Sequence, residues 1–241
     1  MKNHAITHNI GTACCSPTSG RMEIIMQNTI ETILKEKIIV IVRGVEKDKI
    51  IPFAEAVWRG GIRILECTFD ASKKNSDSQN AENIKMLTEH FRDRMIIGAG
   101  TVLTEEQVVL TKNAGGKFII SPDANPEIIK KTKDEGLVSI PGAFTATEAV
   151  KAHTAGADFV KLFPIGAMGA GYIKDISAPL SHIRFLAVGG VDENNMSEYI
   201  KKGACGIGVG SSIVNKKLIL DGNYDEIEKK ARQYKSVADS F

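Results

Sequence analysis

Residues 38–69 read IIVIVRGVEKDKIIPFAEAVWRGGIRILECTF, and the reading of this stretch decides the fold. It opens on a β-branched run, passes into a segment with apolar residues at i, i+3 and i+4, and closes on a second run of strand type. IIVIV is apolar on both faces, as a parallel strand covered by helices must be. The same alternation continues through MIIGAG (95–100), KFIISP (117–122), LVSIPG (137–142), DFVKLFP (158–164), IRFLAVGG (183–190) and CGIGVG (205–210). Several of the intervening helical segments end in Gly, as helices do. Strand starts recur roughly every 24 residues, one βα unit with short loops. Eight such units fit a single-domain (β/α)8 TIM barrel better than an open doubly wound sheet.

An extra N-terminal helix is expected at about Thr29–Lys35, and a last helix at about Tyr224–Ala238. Residues 1–25 mix His, Asn, Thr, Ser, Gly and a Cys14–Cys15 pair without periodicity, and lack the apolar core of a secretory signal. They are read as an extension outside the fold, which leaves 26–241 as the barrel domain. The longest connection, 70–80, is polar and follows the second strand. It suits either an active-site loop or a solvated one.

The 241 residues carry 31 Lys and Arg against 29 Asp and Glu, a net charge of +2 that gives no reason to expect nucleic acid as a partner. No apolar stretch is long enough for a membrane span. Four scattered cysteines suit neither a disulfide framework nor a zinc site, so a soluble, cytoplasmic protein is expected.

In this architecture chemistry sits at the C-terminal ends of the strands. Those ends are Arg43, Glu66, Thr101, Pro122, Pro141, Lys161, Gly189–Gly190 and Gly210–Ser211. Lys161 lies within an apolar run. Desolvated there, it would hold a lowered pKa and supply free amine for a Schiff base. Otherwise it is a structural lysine paired with a carboxylate. Glu66 shares a side-chain direction with Ile64 and Thr68, opposite to Leu65 and Cys67. If that direction is inward, Glu66 faces Lys161 and can shuttle protons beside the Schiff base. The alternative is a buried ion pair, which yields little net stability for its desolvation cost. Arg43 and Thr101 suit a small carboxylate, although Thr101 also reads as the N-cap of the helix beginning TEEQ. VGGV and GVGSS suit phosphate, with backbone N–H groups and a following helix N-terminus. His90, His153 and His182 all miss the strand C-termini, so no metal site is expected.

FVKLFP, taken with LECTF, GAGTV, ISP, IPG, VGGV and GVGSS, resembles the 2-keto-3-deoxy-6-phosphogluconate (KDPG) and 4-hydroxy-2-oxoglutarate (KHG) aldolase family over about residues 28–238. The resemblance implies a class I, Schiff-base lyase of carbohydrate metabolism, in the Entner–Doudoroff manner, working as a homotrimer. It implies Lys161 as the Schiff-base lysine and Glu66 as general acid/base. Arg43 and Thr101 would hold the pyruvate carboxylate, with Pro141 and Phe163 lining the pocket. Gly189, Gly190 and Ser211, with Gly210 beside them, would take the phosphate. The expected partners are small molecules, a 2-keto-3-deoxy sugar acid phosphate and pyruvate. No cofactor is implied, because the iminium serves as the electron sink.

Two positions depart from the family pattern. Asp70 stands where some members carry Arg, a charge that Arg43 can supply. Val188 precedes the glycine pair where many gluconate-specific members have Thr, as in galactonate-specific relatives. An aldolase for the galactonate epimer, or for an unphosphorylated 2-keto-3-deoxy acid, is therefore the nearest alternative. Further off are a sugar-phosphate epimerase on the same barrel and a non-catalytic barrel binding phosphate or keto acid.

Overall fold

The structure, a computed structural model, describes residues 17–70, 72 and 76–241. The extension expected over 1–25 lies outside the described residues as far as Ser16. Parts of the 70–80 connection, residues 71 and 73–75, lie outside them too.

The chain runs α1 (Pro17–Glu36), β1 (Ile38–Val42), α2 (Lys47–Arg59), β2 (Ile64–Thr68), α3 (Ser76–Phe91), β3 (Ile96–Gly100), α4 (Glu105–Asn113), β4 (Phe118–Ile120), α5 (Pro126–Asp134) and β5 (Val138–Ile140). It continues through β6 (Gly142–Ala143), α6 (Ala146–Thr154), β7 (Val160–Leu162), α7 (Ala170–Ser177), β8 (Phe185–Val188), α8 (Met196–Lys201), β9 (Gly206–Val209), α9 (Lys216–Leu220) and α10 (Tyr224–Ala238). The last helix falls where the sequence placed it. The first is longer than expected and takes in residues 17–25.

All strand pairs are parallel, in the order β5-β4-β3-β2-β1-β9-β8-β7-β6. The two ends of that order are neighbours in sequence. β5 and β6 are the halves of the fifth strand, LVSIPG, interrupted at Pro141, which has no N–H to give a ladder. β5 pairs with β4 and β6 with β7, so the chain itself joins the two ends and closes an eight-stranded (β/α)8 barrel.

Side-chain alternation sorts the strands into two apolar layers. Val40, Val42, Leu65, Cys67, Ile97, Ala99, Ile119, Val160, Leu162, Ala187, Ile207 and Val209 face outward and pack with the helices. Ile39, Ile64, Phe118, Ile120, Val138, Ile140, Phe159 and Leu186 fill the interior, together with Ile30 and Ile33 of α1. Ile39 and Ile64 begin or nearly begin their strands, so α1 plugs the N-terminal end of the barrel. Inside, small residues sit against large ones: a Cβ on Gly98 would overlap the Phe118 ring.

Local signals agree with the elements. Asn125 caps α5 and Pro126 opens it, while Thr145 and Glu148 form a capping box on α6. Gly136 and Gly156 follow α5 and α6 at φ of 68° and 103°, the left-handed conformation that ends a helix.

If α1 is the plug, truncating its buried core residue should be costly while the remote mouth keeps its chemistry. Ile33→Ala is expected to lower unfolding free energy by about 2–4 kcal/mol in urea titration, with activity per folded molecule unchanged.

Candidate active site

Glu66 is the third residue of β2, in register with Ile41 on β1 and Gly98 on β3. Its side chain points inward, as strand parity requires, and is only 1% exposed. The carboxylate reaches over β3 into space that exists because residue 100 is glycine: a Cβ there would overlap the carboxylate. Among the described residues Oε2 has no hydrogen-bond partner. Removal from water without compensating donors penalises the charged form. Burial therefore pushes the Glu66 carboxyl up to about 7, with Lys161 and then Arg43 pulling the other way.

Lys161 is the middle residue of β7, between Gly142 on β6 and Leu186 on β8. Its N–H donates to the Pro141 carbonyl at 2.9 Å, and the residue is 8% exposed. Nζ lies 4.6 Å from the centre of the Phe163 ring. Burial holds its pKa below that of an ordinary lysine; Glu66 opposes that shift and Arg43 adds to it. Among the described residues no ion pair joins Lys161 to Glu66 or to any other carboxylate. The structural salt bridge left open by the sequence is not formed. The two groups instead share a dry interior, each biased toward its neutral form and coupled through the field alone.

Arg43 leaves the end of β1 and donates from Nη2 to Thr101 Oγ1 at 2.7 Å. Thr101 has φ of 56°, a left-handed backbone that a β-branched residue adopts only when its surroundings impose it. Thr101 is not the cap of α4. That cap is Thr104, whose hydroxyl accepts the Gln107 N–H at 3.2 Å. The Thr101 hydroxyl is thus committed to Arg43, and the pair stands at the mouth on the Glu66 side.

Across the mouth, Gly189 and Gly190 both adopt left-handed φ, 91° and 78°. The Gly189 carbonyl accepts the Gly166 N–H at 2.8 Å, and Asn195 Nδ2 donates to the Gly190 carbonyl at 2.9 Å. A Cβ on Gly189 would press on the Phe163 ring at 3.1 Å. Gly210 turns the chain after β9, its carbonyl accepting from Ile213 and Val214. Among the described residues nothing accepts the N–H of Gly190 or Ser211. The helix termini expected to reinforce these N–H groups do not follow directly. α8 and α9 are short and begin only at Met196 and Lys216, and Asn215 Oδ1 takes the first N–H groups of α9. Any anion recognition here rests on loop amides.

Pro141 breaks the fifth strand, and Gly142 rather than Pro141 stands in register with Lys161. The sequence reading missed the role of Gly100, although GAG on an inward-facing alternation beside a charged strand was the available signal. It also missed Asn195 and Gln107, which brace the loops that present the site.

Comparison with known proteins identifies relatives over most of the chain. The family described as "Aldolase: KDPG and KHG aldolase" matches residues 30–230. The chain is 36% identical over 180 residues to the 2-dehydro-3-deoxy-6-phosphogalactonate aldolase of Escherichia coli K12, covering 74% of this chain and 85% of that one. It is 33% identical over 216 residues to the 2-dehydro-3-deoxy-phosphogluconate aldolase of Haemophilus influenzae, covering 88% and 97%. Among solved structures, one of a native KDPGal protein superposes with a TM-score of 0.76 at 31% identity, over 85% of this chain and 96% of that one. A KDPG aldolase from Legionella pneumophila, with pyruvate captured as a covalent carbinolamine, gives 0.76 at 28%, over 84% and 96%.

The raised Glu66 midpoint predicts a pH signature in stability. The unfolded chain loses this proton near pH 4.5 and the folded chain near 7, so the folded state binds it more tightly in between. Burial of Glu66 carries no such penalty below about pH 4.5, costs more as pH rises, and costs its full amount above about 7. Urea unfolding should show the wild type losing up to about 3 kcal/mol relative to Glu66→Gln across that window. A constant difference would mean that Glu66 ionises normally.

Proposed function

Since the chain belongs to the KDPG and KHG aldolase family, we propose that Lys161 is the amine that forms its Schiff base and Glu66 the acid/base that moves protons beside it. The chain is a class I aldolase and a carbon–carbon lyase. The observation that carries the residue assignment is the unpaired carboxyl and amine sharing one buried layer, each shifted toward neutrality.

The chemistry follows from those two groups. The neutral Nζ of Lys161 attacks the C2 carbonyl of a 2-keto-3-deoxy-6-phospho sugar acid. Glu66 as an acid protonates the departing oxygen, and loss of water leaves an iminium. Glu66, now a carboxylate, takes the proton of the C4 hydroxyl. The C3–C4 bond breaks, its electron pair enters the iminium to give an enamine, and C4 leaves as the aldehyde of glyceraldehyde 3-phosphate. Protonation at C3 and hydrolysis by water then release pyruvate and restore the amine. A carboxyl with its midpoint near 7 suits both roles at neutral pH.

Arg43 and Thr101 hold the pyruvate carboxylate, a fork and a hydroxyl already joined at 2.7 Å. Arg43 supplies the cationic charge that some members carry at the position of Asp70, whose carboxylate here accepts from Ser72 Oγ. Phe163, over the amine, and Pro141 bound the pocket. Gly189, Gly190, Gly210 and Ser211 take the phosphate, supported by the uncommitted N–H groups of Gly190 and Ser211. The catalytic domain is taken as residues 26–241, and α1 leads into it with its first turns, residues 17–25. Cytoplasmic, Entner–Doudoroff-type metabolism is the matching setting. The apolar side chains Phe144, Val150 and Met168, exposed on adjoining elements, suit burial in a homotrimer.

The gluconate substrate is the first reading. The galactonate epimer is the second, favoured by Val188 before the glycine pair and by the identity to the E. coli galactonate enzyme. Cleavage assays on both epimers, with pyruvate as the readout, test the proposal. Lys161→Arg should lose about 10³-fold or more in kcat, since a guanidinium cannot form the Schiff base. Val188→Thr should shift the ratio of kcat/KM between epimers by about tenfold toward the gluconate form. Retained pyruvate release in Lys161→Arg would contradict the mechanism, whereas interconversion of the two epimers without pyruvate release in the wild type would point to an epimerase.

A further inference from the structure

Gln107 lies in the first turn of α4, 6% exposed, where a helical glutamine would ordinarily face water. Its N–H donates to Thr104 Oγ1 at 3.2 Å, and its Oε1 accepts the Leu103 N–H at 2.8 Å. Its Nε2 donates to both carboxylate oxygens of Asp77 at 3.2 Å, and its carbonyl accepts Thr111 Oγ1 at 2.8 Å. Asp77 stands in the first turn of α3, just after the connection from β2, the Glu66 strand. Leu103 stands two residues past Thr101. One buried amide therefore fastens the start of α3 to the turn that carries Thr101.

That turn needs fastening. Thr101 is held at φ of 56°, and left-handed backbone at a β-branched residue relaxes unless its surroundings fix it. In that conformation its hydroxyl meets Arg43 at 2.7 Å. We propose that Gln107 is a positioning residue for the carboxylate subsite, holding the Thr101 turn against α3 so that Thr101 and Arg43 stay joined before substrate arrives. The proposal rests on the reading of Arg43 and Thr101 as the pyruvate-carboxylate pair.

Gln107→Glu preserves size and the acceptor for Leu103 but sets a carboxylate against Asp77. Combining it with Asp77→Asn reverses the polarity of that contact, because the new amide at 77 can donate to the new carboxylate at 107. The readout is the pyruvate concentration giving half-maximal inactivation by borohydride. Acetaldehyde, a carbonyl without a carboxylate, is tested in parallel, with Tm as the fold control. Gln107→Glu should raise the half-saturating pyruvate concentration about tenfold, the effect of one lost hydrogen bond. It should leave the rate at saturating pyruvate and the inactivation by acetaldehyde unchanged. The double variant should return toward wild type. Asp77→Asn alone, at a half-exposed position, should shift pyruvate in the same direction by less.

Equal weakening of pyruvate and acetaldehyde, or a lowered Tm with pyruvate saturation unchanged, would overturn the proposal and leave Gln107 structural. So would failure of the double variant to recover. Arg43→Gln separates the layers. If it leaves pyruvate saturation unchanged, the carboxylate reading itself fails. If it weakens pyruvate while Gln107→Glu does not, only the positioning role fails.

Discussion

The Glu66 carboxyl occupies space that a Cβ at residue 100 would fill, and much of the barrel is arranged around keeping it there dry. A carboxyl with an orphaned oxygen in an apolar interior is destabilising in its charged form. It persists because β2 is buried on both faces and paired with β1 and β3 along its length. The same interior acts on Lys161 in the opposite chemical sense, favouring the free base. One environment thereby prepares both an acid that can give its proton near neutrality and an amine that can attack a carbonyl.

The rest of the fold serves that interior. Ile30 and Ile33 of α1 pack into the interior cluster and cover the end away from the mouth. The break at Pro141 lets β5 bond to one neighbour and β6 to the other, closing the ring beside Lys161. At the rim the structure accepts strain where it holds polar groups for a ligand. Thr101 is kept left-handed and engaged with Arg43, while Gly189 and Gly190 leave room around Phe163 and Gly166.

Much of this was legible in the sequence, because strand parity and βα spacing are local properties. The eight evenly spaced runs give a parallel barrel, and parity in LECTF puts Glu66 on one face with Ile64 and Thr68, leaving only which face is inward for the structure to decide. What escaped depends on contacts between distant residues. The meaning of Gly100 appears only when β3 lies beside β2. Thr101 reads as a cap in the string GAGTVLT, whereas Thr104 caps α4 and Thr101 bonds Arg43, 58 residues away. Gln107 reads as an exposed helical residue because its partner Asp77 lies across the loops. The first helix reads short because residues before Thr29 show little apolar periodicity, although Met22 packs against Gly136 beneath the barrel.

The account stands on Lys161 being a nucleophilic amine in that interior. Reduction with borohydride in the presence of pyruvate, followed by intact mass and peptide mapping, tests it most directly, with Lys161→Ala as control. It predicts one pyruvate adduct per chain, on the peptide carrying Lys161, and none in the variant. A folded wild-type protein that gains no adduct, or gains one on another lysine, would contradict it.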